Sequence, residues 1–207
     1  MSKIKLYRFP LSGHSHRVEV FLSLLGIEAE LVDVDLGAGA HKQPDFLAKN
    51  PFGQVPVLED GELTLWDSNA ILVYLASHYD QQRQWLPTDA VAASRVQRFL
   101  SVAAGPLANG PASARLVTVF GAGLDQSKAI DTAHALLEVV EAELAGNDWL
   151  AGAHPTLADV ANYTYIAHAP EGGVSLANYP AVRGWLARFE HLPGFVPMQS
   201  TAVGRAA

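Results

Sequence analysis

The sequence predicts two domains, an α/β half followed by an all-helical half. Short stretches that alternate between polar and apolar residues lie in the first 66 residues, and this alternation is typical of strands. From residue 90 onward, apolar residues instead recur with the spacing of helices. A polar stretch with a proline separates the two halves. We therefore expect domains at residues 1–80 and 90–207, joined by a linker at residues 81–89.

The first domain is predicted to have the element order β-α-β-α-β-β-α. Residues 4–9 and 30–36 alternate in polarity as strands do, and residues 17–25 between them carry the apolar stripe of a helix. One strand–helix–strand unit of this length implies a parallel strand pair with a right-handed crossover. Two glycines and a proline follow, which predicts a loop with a short helix at residues 44–48.

The stretch from residue 50 to residue 79 predicts an edge strand, a hairpin and a helix start in quick succession. Residues 54–59 are strand-like, and because proline cannot donate to a sheet, Val55-Pro56 within them predicts an edge strand and is a candidate for a cis bond. An Asp-Gly pair at residues 60–61 predicts a tight hairpin, and Asp67-Ser68 precedes a helical repeat. An edge strand can pair with an extended peptide, and a helix N-terminus can hold a carboxylate. This stretch therefore suggests a site for a small acidic peptide.

Four helices are predicted in the second half from the apolar repeat. Thr156 and Asp159 form a variant capping box, in which aspartate replaces the usual glutamate. Residues 105–124 are rich in glycine and proline, which predicts that the helices are interrupted there. The four predicted helices span residues 90–104, 127–144, 156–167 and 180–192.

The composition excludes several classes of protein. Hydrophobic residues make up 49% of the 207 residues and charged residues 17%, so a large core is available and disorder is not expected. A net charge of −7 without a basic block argues against a nucleic-acid binder. The lack of cysteine excludes disulfides, protein thiolates and iron–sulfur clusters. No signal peptide or membrane-spanning run is evident, so we expect a cytoplasmic protein.

Three segments of the first domain carry a resemblance to a known family. They are residues 10–18 (PLSGHSHRV), 41–61 (HKQPDFLAKNPFGQVPVLEDG) and 66–76 (WDSNAILVYLA). In their order and spacing they resemble the cytosolic glutathione S-transferases, most closely the serine-type enzymes of the theta and phi classes and of many bacteria. The resemblance extends over nearly the whole chain. It implies a thioredoxin-like first domain that binds glutathione, an all-helical second domain, and a second substrate held between the two.

The resemblance also implies an activity. Enzymes of this family activate the thiol of glutathione as a thiolate and conjugate it to a small electrophile, as homodimers that serve detoxification. A glutathione-dependent disulfide reductase or peroxidase on the same site is an alternative, because one bound glutathione could attack another disulfide. A non-enzymatic binding protein on the same fold is a third. His14 and His16 lack a nearby third ligand, so no metal is predicted, and no nucleic-acid or membrane partner is implied.

Ser12 is the catalytic residue that the resemblance implies. In serine-type enzymes, the hydroxyl after the first strand donates a hydrogen bond to the glutathione sulfur. A hydroxyl donor and the N-terminus of the following helix both favour the thiolate, so the pKa of the thiol falls. Ser12 is also placed as an ordinary helix N-cap would be, and Ser15 is the alternative hydroxyl. Arg17 could add positive potential near the sulfur, or lie at an interface or at the surface.

The glutathione-binding residues implied by the resemblance lie in the loops and strand ends of the first domain. Asp67 and Ser68 match an acidic residue–serine pair that holds the γ-glutamyl end, with Ser68 on the carboxylate and Asp67 on the α-amino group. Main-chain groups of Val55 match those that pair with the cysteinyl part. Three side chains match positions that hold the glycyl carboxylate, namely His41, Lys42 and Gln54.

The second-substrate site is implied to lie between the end of the first strand and the first helices of the second domain. The sequence does not name the electrophile. Arg115 would favour an anionic acceptor, and an ordinary surface arginine is the alternative. Phe52 matches an aromatic that inserts into the partner subunit, and an ordinary buried phenylalanine is the alternative. The acceptor-site candidates are Leu11, His14, Leu107, Arg115, Phe120 and Tyr165.

Overall fold

The first half of the chain folds around a four-stranded mixed sheet. In the computed structural model, which describes residues 4–202, strands β1 (Ile4–Arg8) and β2 (Ala29–Asp33) are parallel and joined by helix α1 (Gly13–Leu24). Strands β3 (Val57–Asp60) and β4 (Leu63–Trp66) form an antiparallel hairpin, and β3 also pairs with β1 in the antiparallel sense. The strand order is therefore β2-β1-β3-β4, with β1 and β3 at the centre.

Two further helices complete this half. Helix α2 (Pro44–Leu47) begins with a proline, which suits the first turn because no hydrogen bond is lost there. Helix α3 (Ser68–Tyr79) follows β4 directly. The predicted order β-α-β-α-β-β-α is thus confirmed, and the Val55-Pro56 bond is cis, as predicted.

The starts of two elements differ from the prediction by three residues or more, and β2 ends at Asp33 rather than at residue 36. Helix α1 begins at Gly13 rather than at residue 17, because the cap at Ser12 starts the helix before its apolar stripe begins. Strand β3 begins at Val57 rather than at residue 54, so Gln54 and Val55 lie outside the ladder. The prediction of an edge strand is wrong, because β3 lies between β1 and β4, and Pro56 precedes the strand instead of interrupting its ladder. The observed starts of α1 and β3 leave residues predicted to bind glutathione, or to act on it, just before an element rather than inside one.

The second half is helical, as predicted. Helix α4 (Ala90–Ala104) has the predicted bounds, and the bounds of the other predicted helices agree within two residues. Among residues 4–202, no helix is long and apolar enough to cross a lipid bilayer. The helices after α4 are α5 (Ser113–Phe120), α6 (Gln126–Leu144), α7 (Leu157–Ala167) and α8 (Pro180–Glu190).

The glycine- and proline-rich stretch at residues 105–124 holds a helix that the sequence did not predict. A π-helical segment (Ala108–Ala112) leads directly into α5. A Cβ at Gly110 would lie 2.8 Å from the main-chain nitrogen of Ala133 on α6, so only glycine permits this close approach. The glycine here serves helix packing, which composition alone does not distinguish from a chain break.

The capping box predicted at the start of α7 is present and does more than cap. One oxygen of Asp159 accepts from the N–H of Thr156 at 2.9 Å, as a capping box requires. The other accepts from the N–H of Leu150 at 3.0 Å and from the indole N–H of Trp185 at 2.9 Å. Asp159 is fully buried, so a single carboxylate joins α7 to the preceding loop and to α8.

The contacts divide the chain into two compact units. The described residues up to Gln81, together with Pro193–Gln199, form the first unit, whereas Gln82–Leu192 and the described residues from Ser200 onward form the second. The segment Pro193–Gln199 therefore belongs with the sheet, although α8 precedes it in the sequence. The linker at residues 81–89 and the roles of the two domains stay predictions.

Candidate active site

Ser12 lies at the N-terminus of α1, where the chain turns out of β1. Its side-chain oxygen accepts a hydrogen bond from the N–H of Ser15 at 3.3 Å, so Ser12 is the N-cap of the helix. Within residues 4–202, no group accepts a hydrogen bond from the Ser12 hydroxyl, and the residue is partly exposed. Capping uses a lone pair of this oxygen and leaves its hydrogen available for a further acceptor.

Ser15 occupies a different environment, although it carries the same hydroxyl group. It is 1% exposed, and its oxygen accepts from the N–H of Phe9 at 3.3 Å, which ties α1 to the end of β1. A ligand could reach this hydroxyl only by displacing packed atoms. Of the two serines that the sequence left open, Ser12 is the accessible one.

Asp67 caps the N-terminus of α3. Its carboxylate accepts from the N–H of Ala70 at 2.9 Å, and its backbone has a φ of 71°. A residue other than glycine in this conformation is strained by about 1–3 kcal/mol, and such strain clusters at active sites and ligand clamps. Asp67 is exposed while Ser68, the first residue of the helix, is buried. The helix start therefore presents an exposed carboxylate next to a buried hydroxyl.

Arg17 connects α1 to this helix start. Its side chain is 1% exposed, and Nη1 donates to the hydroxyl of Ser68 at 3.2 Å and to the side-chain oxygen of Asn69 at 2.9 Å. The surface position that the sequence allowed for Arg17 is therefore wrong. His14 lies beside the same hydroxyl, with Nδ1 3.4 Å from Ser68 Oγ. Although His14 is partly exposed as a residue, desolvation of its ring, with the charge of Arg17 adding to it, lowers its pKa to about 3, so the ring is neutral at neutral pH.

Asn50 shapes the loop that carries Gln54 and Val55, a role that sequence reasoning missed. It is 2% exposed, its amide donates to the carbonyl of Gln54 at 2.8 Å, and its oxygen accepts from the N–H of Phe52 at 3.0 Å. The Asn-Pro dipeptide at residues 50–51 is the turn signal that could have identified it. Within residues 4–202, the main-chain N–H and C=O of Val55 make no hydrogen bond. Both groups therefore remain for an extended ligand.

Lys42 lies against the same loop. Its ammonium group donates to the carbonyls of Phe52 at 3.3 Å and Gly53 at 3.2 Å. A Cβ at Gly53, whose φ is 57°, would lie 2.7 Å from the carbonyl oxygen of His41, so glycine lets the two loops pack together. This packing brings Lys42 and His41 next to the residue that precedes Gln54. The three predicted glycyl-carboxylate ligands are thus neighbours through their loops.

The acceptor-site candidates of the second unit differ in exposure. Leu107 is fully buried and Tyr165 is 5% exposed. Arg115 is 2% exposed, and its Nε lies 2.6 Å from a carboxylate oxygen of Glu171 in a buried ion pair. These three side chains are therefore buried, which argues against direct contact with an acceptor, and Arg115 is not a surface arginine either. Phe120, in contrast, is 43% exposed.

The acceptor-site candidates of the first unit lie at the start of α1. Leu11 is partly exposed in the turn that leads to Ser12, and His14 is partly exposed one residue into the helix. Their places at this end of α1 put both near the candidate catalytic hydroxyl. They stay candidates for contact with the acceptor.

Phe52 and Trp66 form an aromatic pair on the surface of the first unit. The exposed fraction of Phe52 is 63%, and the two rings meet edge to face with centroids 5.1 Å apart. The alternative that Phe52 is an ordinary buried phenylalanine is wrong. Exposed aromatic side chains are enriched where proteins meet, and insertion of Phe52 into a partner subunit stays a prediction.

The two histidines at the start of α1 have separate partners. Nε2 of His16 lies 2.9 Å from the carbonyl oxygen of Val196, and His16 is buried, whereas His14 lies beside Ser68. In the described part of the chain, no three histidine, aspartate or glutamate side chains are grouped so as to hold a metal ion.

The depressed pKa of His14 predicts a loss of stability in acid. The unfolded chain takes up a proton at its ordinary pKa of 6.5, while the folded chain does so only near pH 3. The stability is therefore fully present above pH 6.5 and declines as the pH falls toward 3, with a slope of at most about 1.4 kcal/mol per pH unit. We expect His14→Gln to flatten the melting temperature against pH in this range. The exposed His154→Gln is the control, and equal slopes in the two variants would contradict the prediction.

Comparisons of sequence identify relatives over both halves of the chain. Two family models match, the glutathione S-transferase N-terminal domain at residues 2–77 and the glutathione S-transferase C-terminal domain at residues 124–193. Glutathione S-transferase 3 from Zea mays is 38% identical over 94% of this chain and 92% of its own length. Glutathione S-transferase D7 from Anopheles gambiae is 34% identical over 87% of this chain and 83% of its own length.

Solved structures of similar proteins agree with these matches. A glutathione S-transferase from Pseudomonas fluorescens superposes with a TM-score of 0.89 at 33% identity, over 96% of this chain and 100% of its own. A glutathione transferase homolog from Drosophila mojavensis, solved with bound glutathione, has a TM-score of 0.85 at 30% identity, over 93% of this chain and 90% of its own. With a thioredoxin-like N-terminal domain and a helical C-terminal domain, the chain belongs to the cytosolic glutathione S-transferase family.

Proposed function

We propose that this protein conjugates glutathione to a small electrophile, with Ser12 as the residue that stabilises the glutathione thiolate. Membership of the family supports the activity of a glutathione transferase. One observation carries the assignment of the residue: the Ser12 hydroxyl is partly exposed at the start of α1 and has a hydrogen to donate. The buried Ser15 already uses its oxygen within the fold.

The electrostatics at the start of α1 account for thiol activation. A free thiol has a pKa of about 8.5 and is mostly protonated at pH 7. Hydrogen-bond donation from Ser12 and the partial positive charge of the helix N-terminus both stabilise the anion, so the bound thiol loses its proton to solvent at lower pH. The sulfur then attacks an electrophilic carbon and forms a C–S bond. In an aryl halide the leaving group departs with its electron pair, whereas in an epoxide or enone the displaced electron pair stays on the acceptor, which takes up a proton from solvent. Ser12 forms no covalent bond in this step.

The peptide part of glutathione is proposed to bind along the loops of the first unit. The γ-glutamyl carboxylate binds at Ser68 and the α3 N-terminus, where main-chain N–H groups and the helix dipole favour an anion. Asp67 pairs with the α-amino group. The N–H and C=O of Val55 pair with the cysteinyl residue as an added strand. The glycyl carboxylate binds among three residues of the neighbouring loops, His41, Lys42 and Gln54.

The remaining assignments concern the acceptor site, the oligomeric state and the cellular location of the protein. Leu11, His14 and Phe120 are the residues proposed to meet the electrophile, because they are at least partly exposed. Phe52 is proposed to lie in the interface of a homodimer. A cytoplasmic location is also proposed, and the absence of cysteine is compatible with it.

Glutathione should bind to the protein in a calorimetric titration, and Asp67→Asn should weaken binding about tenfold or more, since hydrogen bonds to charged groups contribute about 1.5–3 kcal/mol. Asparagine keeps an oxygen to cap the N–H of Ala70 but removes the negative charge opposite the α-amino group. Asp125→Asn, at the N-cap of α6 in the second unit, is the matched control and should leave Kd unchanged. No binding by the parent protein would contradict the proposed function. An unchanged Kd in Asp67→Asn would contradict the role of Asp67 alone.

An acceptor panel separates conjugation from the alternative activities. Turnover of aryl halides, epoxides or enones with glutathione is the expected result. Turnover confined to peroxides or a small disulfide would instead assign the protein as a glutathione-dependent peroxidase or reductase. Glutathione binding without turnover of any acceptor would favour a binding protein on the same fold.

A further inference from the structure

Arg17 is a buried cation at the place where α1 passes the start of α3. It is among the largest fully buried side chains of the described residues, with 1% exposure, and neighbours on α1 such as Val18 and Phe21 belong to the core. Its guanidinium nevertheless reaches the first two residues of α3, Ser68 and Asn69. A charge removed from water is weakly screened, so its field extends strongly into the adjacent helix start.

The contact with Arg17 determines how the Ser68 hydroxyl can act. A guanidinium only donates hydrogen bonds, so Ser68 Oγ must be the acceptor in the 3.2 Å contact with Arg17 Nη1. The hydrogen of this hydroxyl then points to another acceptor. The ring nitrogen of His14 lies at 3.4 Å, longer than an ordinary hydrogen bond of a hydroxyl. A carboxylate oxygen at the start of α3 would be a stronger acceptor for the same hydrogen.

The buried charge beside this hydroxyl is positive, whereas the negative charge of the neighbouring Asp67 is exposed to water. His14 is neutral at neutral pH, so Arg17 supplies the positive charge on this side of Ser68. The N-terminus of α3 adds the partial positive charge of its unsatisfied N–H groups. Both favour an anion beside Ser68, and the second contact of Arg17, to Asn69 at 2.9 Å, holds the first turn of α3 in place.

We propose that Arg17 is a positioning residue for the γ-glutamyl carboxylate of glutathione. It orients the Ser68 hydroxyl as a donor and holds the first turn of α3 through Asn69. It also supplies a buried positive charge next to these two residues. Arg17 acts through Ser68 and through its field, and does not itself touch the ligand. The inference rests on the proposed function, in which that carboxylate binds at Ser68.

The test compares glutathione with γ-aminobutyryl-cysteinyl-glycine, an analogue in which hydrogen replaces the γ-glutamyl α-carboxylate. Arg17→Met retains a long side chain but removes the charge and the donors. In calorimetric titrations of the full chain, we expect the Kd of glutathione to rise about tenfold to a hundredfold, and the Kd of the analogue to stay at the parent value. An equal rise for both ligands would assign Arg17 to maintenance of the fold alone and overturn the inference.

A second substitution covers the case in which Arg17→Met does not fold. Arg17→Lys keeps the positive charge but replaces the planar fork by a single ammonium group. We expect Arg17→Lys also to weaken the binding of glutathione selectively, by a smaller factor. A ratio of the Kd of glutathione to the Kd of the analogue equal to that of the parent would overturn the inference. In a protein that already carries Ser68→Ala, Arg17→Met should raise the Kd of glutathione by a much smaller factor than it does in the parent. Full additivity would show that Arg17 does not act through Ser68.

Arg8→Met is the matched control. Arg8 is a partly buried arginine of the first unit, paired with Glu19 and Asp33, and its loss should change neither Kd. Failure of the parent protein to bind glutathione would reject the proposed function. Binding by the parent, with no selective change in the Arg17 variants, would reject this inference alone.

Discussion

Ser12→Ala is expected to lower kcat for glutathione conjugation by about a hundredfold, the usual effect of removing one donor to a developing or bound anion. The hydroxyl is the group proposed to donate to the thiolate, and alanine leaves only the helix N-terminus to stabilise it. The pKa of the bound glutathione thiol should therefore rise. Thiolate absorbance recorded against pH in the glutathione complex measures this shift directly.

Two further variants separate catalysis from helix capping. Ser12 is also the N-cap of α1, so alanine costs about 1 kcal/mol of stability. Ser12→Asp keeps a capping side chain but offers no donor to a thiolate, and it should be as inactive as Ser12→Ala. Ser15→Ala removes the acceptor of the Phe9 N–H and should lower the melting temperature while the thiol pKa stays at the parent value. A raised thiol pKa in Ser15→Ala, with an unchanged one in Ser12→Ala, would reverse the assignment.

Asp159→Ala is expected to lower the free energy of unfolding by about 4 kcal/mol, because it leaves several buried donors without an acceptor at once. The N–H groups of Thr156 and Leu150 and the indole of Trp185 all donate to this carboxylate. None of them can turn to water, since the site is fully buried. Urea denaturation of the parent and the variant measures the difference.

Asp125→Ala is the matched control for this effect. Asp125 caps α6 through the N–H of Lys128 at 3.0 Å, and that contact is exposed. Water can replace the lost acceptor there, so we expect a cost of about 1 kcal/mol. If Asp159→Ala destabilised the protein no more than Asp125→Ala does, the carboxylate would be an ordinary helix cap and not a tie between α7, the preceding loop and α8.

Local signals account for the parts of the fold that the sequence predicted correctly. The Asp-Gly turn, the cap at Asp67, the proline at residue 56 and the apolar period of α4 each depend on residues within a few positions of one another. Such signals establish the order β-α-β-α-β-β-α and the start of α3. They also place Val55, Asp67 and Ser68 at the ends of elements, where main-chain groups are left for a ligand.

These local signals do not determine which side chains are buried. The same stretch, PLSGHSHRV, contains an accessible Ser12, a buried Ser15 and a buried Arg17, and residue type does not distinguish them. The glycine-rich stretch at residues 105–124 predicts a break in the helices, although α5 lies within it. The residue that packs against Gly110 is Ala133 on α6, which is distant in the sequence, so local patterns do not reveal this packing. For the same reason, the sequence did not show that the acceptor-site candidates Leu107, Arg115 and Tyr165 are buried.

The sequence by itself determined the two-part architecture, the order of the elements and the loops in which glutathione is proposed to bind. Only the tertiary structure decided which of the candidate side chains a ligand can reach and which are used to hold the fold. The physical reason is the range of the contacts. Arg17 meets Ser68 across 51 residues, and Arg115 meets Glu171 across 56. Such pairs form only when packing brings distant segments together.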